Sequence, residues 1–121
     1  MQITLIIGLP ASGKTTYAKT LGGFLVDDPQ SVTELPLNCE HLVIADPNFC
    51  IEYNLNSAIT ILKKKYGESV VIDRIYFEND PIQCYKNAVK RLDKPVTASI
   101  KALSLLYTPD KNFCILPCYG K

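Results

Sequence analysis

The sequence has a single histidine, no Cys-x-x-Cys pair, almost no net charge and no long apolar run. Each shortage excludes something. His41 has no cysteine or second histidine near it in the chain, which argues against a zinc-type metal site and leaves it as a surface or capping residue. Cys39, Cys50, Cys84, Cys114 and Cys118 are odd in number and irregularly spaced. They form neither a disulfide framework nor a zinc pattern, and read as reduced, mostly buried thiols of a cytoplasmic protein. A formal net charge of +1 argues against a strongly basic nucleic-acid binder, although a local basic groove stays open. The apolar opening from Met1 to Leu9 is too short to span a membrane and runs into a glycine-rich turn, so neither a membrane span nor a signal peptide is expected. No repeat, low-complexity stretch or linker interrupts the chain. Its 121 residues, nearly half of them apolar, suit one compact domain covering positions 1–121.

What is present is an alternation. Ile3-Thr4-Leu5-Ile6-Ile7 is a continuous branched run and reads as a buried parallel strand. A helix is expected from Lys14 to Leu21, stopped by Gly22-Gly23. Phe24-Leu25-Val26 is a second strand, ending in Asp27-Asp28-Pro29, and Leu42-Val43-Ile44-Ala45 is a third, ending in Asp46-Pro47. Between them, residues 30–41 carry little periodicity and are interrupted by Pro36. A helix from Asn48 to Lys65 carries Ile51, Leu55, Ala58, Ile59 and Leu62 on one face. Lys63-Lys64-Lys65 closes it where the dipole favours cations, and Gly67 caps it, so the lysine run reads first as a solvated helix end and only second as a nucleic-acid contact. Val70 to Phe77 is a fourth strand. Asn79-Asp80-Pro81 starts a helix whose expected apolar face is Ile82, Tyr85, Val89 and Leu92, with Ala88 beside it, broken at Lys94-Pro95. Thr97 can cap a last helix carrying Ile100, Leu103 and Tyr107, and Phe113 to Leu116 is a final short strand. Strands alternating with helices call for a parallel sheet with helices on both faces and ligands at the carboxyl ends of the strands.

The strongest chemical signal is Gly8-Leu9-Pro10-Ala11-Ser12-Gly13-Lys14-Thr15-Thr16, which has the Gly-x-x-x-x-Gly-Lys-Thr spacing of a phosphate-binding loop. From ordinary residue usage, a chance match in a chain of this length has odds on the order of a few per thousand. The residue types follow from the task. Glycines let the backbone curl so that its N–H groups converge on phosphate oxygens, and the succeeding helix adds its positive end. Lys14 is placed to reach the β- and γ-phosphates of ATP or GTP, and the Thr15 hydroxyl to ligate Mg²⁺. The plain alternative is a glycine-rich turn without a ligand. Asp27 or Asp28 can accept the proton of an attacking hydroxyl, or cap the turn before Pro29. Asp46 ends an apolar strand as a Mg²⁺-holding carboxylate does, and equally suits capping of the helix that follows. Lys90, Arg91 and Lys94 are either a cationic segment over the triphosphate or a solvated helix end.

Gly8 to Thr16, Gly23-Phe24 through Asp27-Asp28, Val43 to Phe49, and Asn87 to Arg91 with Val96 and Ile100 together resemble the kinase domain of bacteriophage polynucleotide kinase and its small phage-encoded relatives. The resemblance covers most of the chain. It implies an α/β fold of three layers, the P-loop NTPase/kinase type, with a four- to five-stranded mainly parallel sheet. It implies an ATP-dependent kinase that transfers the γ-phosphoryl group to a hydroxyl of a nucleic acid or nucleotide, either a 5′-hydroxyl or a hydroxymethylated base. Asp27 matches the family's general base, and Arg91, five before Val96, matches a lid arginine that contacts the transferred phosphate. Three departures stand out. Pro29-Gln30-Ser31 carries no cation where the family has an arginine for the substrate's phosphate, Asn87 stands where a second lid arginine is found, and the stretch between the second and third strands is shorter. A small-metabolite kinase and a nucleotide-binding interaction protein without transfer chemistry are the competing expectations.

Overall fold

The computed structural model describes residues 1–27, 35, 36, 38–91 and 96–120. In chain order its elements are β1 (Gln2–Ile7), α1 (Lys14–Ala18), β2 (Phe24–Asp27), β3 (His41–Ala45), α2 (Glu52–Tyr66), β4 (Val71–Phe77), α3 (Pro81–Lys90), α4 (Val96–Ser104) and β5 (Cys114–Leu116). The side chains from Ile3 to Ile7 are all buried, those on both faces of β1 alike, which requires a central position in a covered sheet. β1 occupies that position. The five strands lie in the order β2-β3-β1-β4-β5, and every pairing is parallel.

The two faces of the sheet pack differently. Ile6, Val43, Ala45 and Phe77 meet Ala18 of α1, and this face is closed further by Tyr17 and Leu21. Ile3, Leu5, Ile7, Leu42, Ile44 and Tyr76 point the other way and pack with residues of α2, α3 and α4. Helices therefore cover both faces of a parallel sheet, giving the three-layer, P-loop-like architecture. The carboxyl ends of β1, β2 and β3 share one edge, because parallel pairing aligns Ile6 with Ala45 and Asp27 with Ala45.

Several local expectations need correction. The helix after the glycine loop is α-helical only to Ala18 and tightens into a 3₁₀ turn over Lys19–Leu21 before Gly22, at φ 73°, stops it. The helix expected over Asn48–Lys65 is divided. Pro47–Cys50 forms a 3₁₀ turn, Ile51 is extended, and α2 begins at Glu52. Leu55 and Leu62 are buried along the anticipated face, with Ala58 and Ile59 beside them. Asp80 caps α3 as expected, accepting from the Gln83 N–H at 3.1 Å. The face that α3 buries is not the one expected: Ile82 and Val89 are 68% and 62% exposed, while Cys84, Asn87 and Ala88 are buried. Two small residues bring the α3 backbone close to the core, and Asn87 satisfies carbonyls that an aliphatic side chain would strand. Tyr107 is buried but lies beyond the end of α4, where its hydroxyl donates to the Phe77 carbonyl and lies 3.2 Å from that of Ile7, bridging β4 and β1. His41 belongs to β3, with its Nε2 2.8 Å from Thr4 Oγ1. Asp28, Pro29-Gln30-Ser31, Leu92, Lys94 and Pro95 lie outside the described residues.

Candidate phosphate-binding site

The chain leaves β1 at Ile7 and must turn at once to enter α1. It does so through a loop in which Ala11 (φ 64°) and Gly13 (φ 104°) take the left-handed conformation. A Cβ at Gly13 would lie 2.6 Å from that of Tyr119, and one at Gly8 would lie 2.7 Å from Ser12 Oγ. Both glycines are therefore required by close approach, and Gly13 by its φ as well. The loop is held from outside by Asn87. Its Nδ2 donates to the Ala11 carbonyl at 2.9 Å and to the Tyr119 carbonyl at 2.8 Å, while Gln83 Nε2 donates to its Oδ1 at 3.0 Å. Tyr119 N–H closes the arrangement by donating to the Ser12 carbonyl at 2.9 Å. The segment after β5 is thus sewn to the glycine loop.

Lys14 is 7% exposed and folds back over the loop, donating to the carbonyls of Gly8 at 2.9 Å and Leu9 at 2.8 Å. Burial lowers its pKa, against the opposing pull of Cys50, Cys84, Asp27 and Asp46. Among the described residues no carboxylate pairs with this ammonium. Ser12 Oγ is fully buried and has no hydrogen-bond partner among the described residues. A buried cation held only by carbonyls and an orphaned hydroxyl in one glycine loop are costly in an isolated fold. Both features, and the paired glycines, fit an oxyanion such as a nucleotide phosphate.

Beside the loop is a cleft of about 280 Å³, lined by Pro10, Ala11, Gly13, Lys14, Thr15 and Thr16 together with Asp27, Pro47 and Arg91. Asp27 ends β2 and reaches across it, its Oδ2 accepting from Thr15 Oγ1 at 2.8 Å. Arg91, the residue after α3, is exposed and lines the same cleft from a third direction. Asp46 is buried, and its Oδ1 accepts from the Asn48 N–H at 2.9 Å, capping the 3₁₀ turn. Its neighbour Pro47 lines the cleft instead, but Asp46 lies close enough to act on the charge of Lys14. Cys50 stands behind the loop. Burial pushes its thiol up to about 12, with Lys14 and the Gly8 N–H pulling it back.

Among the described residues no group of three His, Cys, Asp or Glu could hold a metal ion by itself. Oxygen donors that could hold Mg²⁺ are the Thr15 hydroxyl, which lines the cleft, and the Asp46 carboxylate, buried beside Pro47. That is a fitting set for an ion that takes most of its ligands from water and phosphate. The sequence anticipates the loop, Asp27 and Arg91 as candidates. It does not anticipate the clamp made by Asn87 and Tyr119, because Asn87 and Ala11 are 76 positions apart and no local pattern joins them.

The architecture is a parallel α/β sheet between two helical layers, of P-loop-like form. Six chains of solved structures match the protein. One of them, described as "Crystal structure of APE1195", is 17% identical in sequence, with a TM-score of 0.59 over 95% of this chain and 83% of that chain. The likeness is one of fold. No family model matches the chain, and comparison with curated proteins finds no match. Among the described residues no helix is long and apolar enough to cross a membrane.

Proposed function

We propose that the chain, residues 1–121, is a single kinase-like domain that transfers the γ-phosphoryl group of ATP to a hydroxyl on a nucleic acid or nucleotide. The observation that carries this reading is the shared cleft: Asp27 and Arg91 come from distant parts of the chain and line the same space as Lys14 and Thr15. A carboxylate and a guanidinium that line one cleft with a candidate phosphate loop suit phosphoryl transfer better than nucleotide storage.

In this mechanism Asp27 accepts the proton of the acceptor hydroxyl as its oxygen attacks the γ-phosphorus, and ADP leaves. Loss of the hydrogen bond from Thr15 would leave the Asp27 carboxylate free to accept the proton, and the Thr15 hydroxyl with the Asp46 carboxylate would hold Mg²⁺. Bound there, Mg²⁺ would neutralise charge on the β- and γ-oxygens. Lys14 turns from the Gly8 and Leu9 carbonyls to the phosphates, and Arg91 meets the charge that develops on the transferred group. Free buried thiols suit a cytoplasmic setting. A second reading, a kinase for a small metabolite, is favoured by the modest cleft and the net charge of +1.

The test is incubation with γ-labelled ATP and Mg²⁺ in the presence of 5′-hydroxyl DNA and RNA oligonucleotides, nucleosides and small hydroxylated metabolites. Label on the oligonucleotides or nucleosides supports the proposal, and label on metabolites alone supports the second reading. Nucleotide binding without transfer would make this a nucleotide-binding interaction protein. Absence of nucleotide binding would overturn all three.

A further inference from the structure

A second cleft, of about 410 Å³, opens on the sheet face opposite α1, between the first turns of α2 and segment 106–111. Its size is within the range of small-molecule sites. Arg74 and Tyr76 of β4 line it, on the face where Tyr76 packs into the larger core. Arg74 pairs in register with Leu5, three positions before Gly8. At roughly 3.3 Å per residue, that places its backbone about 10 Å from the start of the glycine loop. The two clefts share no lining residue.

Arg74 is half-buried. Its guanidinium carbon lies 4.9 Å from the centroid of the Phe113 ring, and its Nη1 makes one long contact, 3.4 Å, to the Tyr76 hydroxyl. This approach to the Phe113 ring holds the guanidinium beside it but uses none of its N–H donors. Among the described residues no carboxylate pairs with it, although Glu52 and Asp110 line the same cleft. Asp110 Oδ1 is committed to the Asn112 N–H at 3.0 Å. The cleft is mixed: Phe49, Leu106 and Tyr107 give it apolar and aromatic walls, and Asn56, Thr108 and Lys111 give it polar ones. A half-buried guanidinium with donors to spare, in a cleft whose walls are partly apolar and aromatic, suits an oxyanion attached to an apolar body.

We propose that this cleft is a second ligand site, which binds a small organic oxyanion through Arg74. The ligand carries a phosphate monoester or carboxylate on an apolar or aromatic group. The proposal does not depend on the kinase reading.

The experiment is an NMR titration of the full chain with phenyl phosphate, benzoate and benzyl alcohol. The Arg74 side-chain resonance and the amides of Arg74, Tyr76, Tyr107 and Lys111 are followed beside those of Gly8 to Thr15. Saturable shifts in the first group with one or both anions, but not with the alcohol, are the expected result, and which anion binds identifies the head group. The shifts should persist in Lys14→Ala and weaken about tenfold or more in Arg74→Gln. Arg74→Lys, which keeps the charge and loses the fork, should fall between. Shifts confined to the glycine loop, equal shifts with benzyl alcohol, or equal affinity in Arg74→Gln would overturn the proposal. Should Arg74→Gln fail to fold, the wild-type shift map and Arg74→Lys decide.

Discussion

Thr15 Oγ1 donates to Asp27 Oδ2 at 2.8 Å, so the hydroxyl suited to Mg²⁺ and the carboxylate suited to proton acceptance satisfy each other. They arrive from the start of α1 and the end of β2, elements that do not pair with each other in the sheet. The bond joins two residues that line the same cleft.

Asp27→Asn keeps the shape of this contact but is a far poorer proton acceptor. Turnover should fall on the order of a hundredfold or more, with nucleotide affinity retained. Kinetics and calorimetry on Asp27→Asn beside Asp28→Asn check this. Damage from Asp28→Asn alone would move the base by one position.

Arg91→Ala should lower turnover by roughly a thousandfold while changing ATP affinity little, since its contact strengthens as charge develops. Steady-state kinetics on Arg91→Ala and Lys90→Ala provide the comparison. Unchanged turnover would return Arg91 to the role of a solvated helix end.

Asn87→Leu removes donors to Ala11 and Tyr119 and leaves both carbonyls without that partner. A loss of about 1–3 kcal/mol in unfolding free energy is expected, together with weaker ADP binding, because the loop loses its outer clamp. Denaturant titration and calorimetry measure the two effects. Loss of stability with intact ADP affinity would show that the clamp holds the fold and not the loop.

Lys14→Ala should abolish nucleotide binding. Lys14 also has a pH signature without ligand. Its pKa in the fold lies below 10.5, so the folded state gives up its proton first as pH rises. Between the lowered value and 10.5 the unfolded chain holds more protons, and stability from this group increases with pH. Thermal midpoints of the wild type should therefore gain on those of Lys14→Met across that window. A constant difference would mean that Lys14 is not desolvated.

Thiol alkylation should follow burial. Cys114 is exposed, whereas Cys50, Cys84 and Cys118 are buried, and burial raises the pKa of Cys50 and Cys84. Mass spectrometry after brief alkylation of the native protein should find Cys114 modified first, with these three reacting only after denaturation. Rapid native modification of Cys84 would indicate that α3 opens from the core.

The sequence by itself determined what is local. Ile3 to Ile7 reads as a buried parallel strand because an unbroken apolar run is satisfied by cover on both faces. The loop from Gly8 to Thr15 was legible because its spacing is set by contacts within a few residues. Asp80-Pro81 and Gly22 marked helix ends for the same reason. Tertiary structure decided what depends on distant partners. The periodicity of α3 pointed to Ile82 and Val89, yet the helix is turned by the carbonyls that Asn87 must reach at Ala11 and Tyr119. The strand order, the meeting of Asp27 with Thr15, and the donors left over on Arg74 arise from pairings across the fold. A side chain's own neighbours in sequence carry no record of which remote backbone groups it will be asked to satisfy.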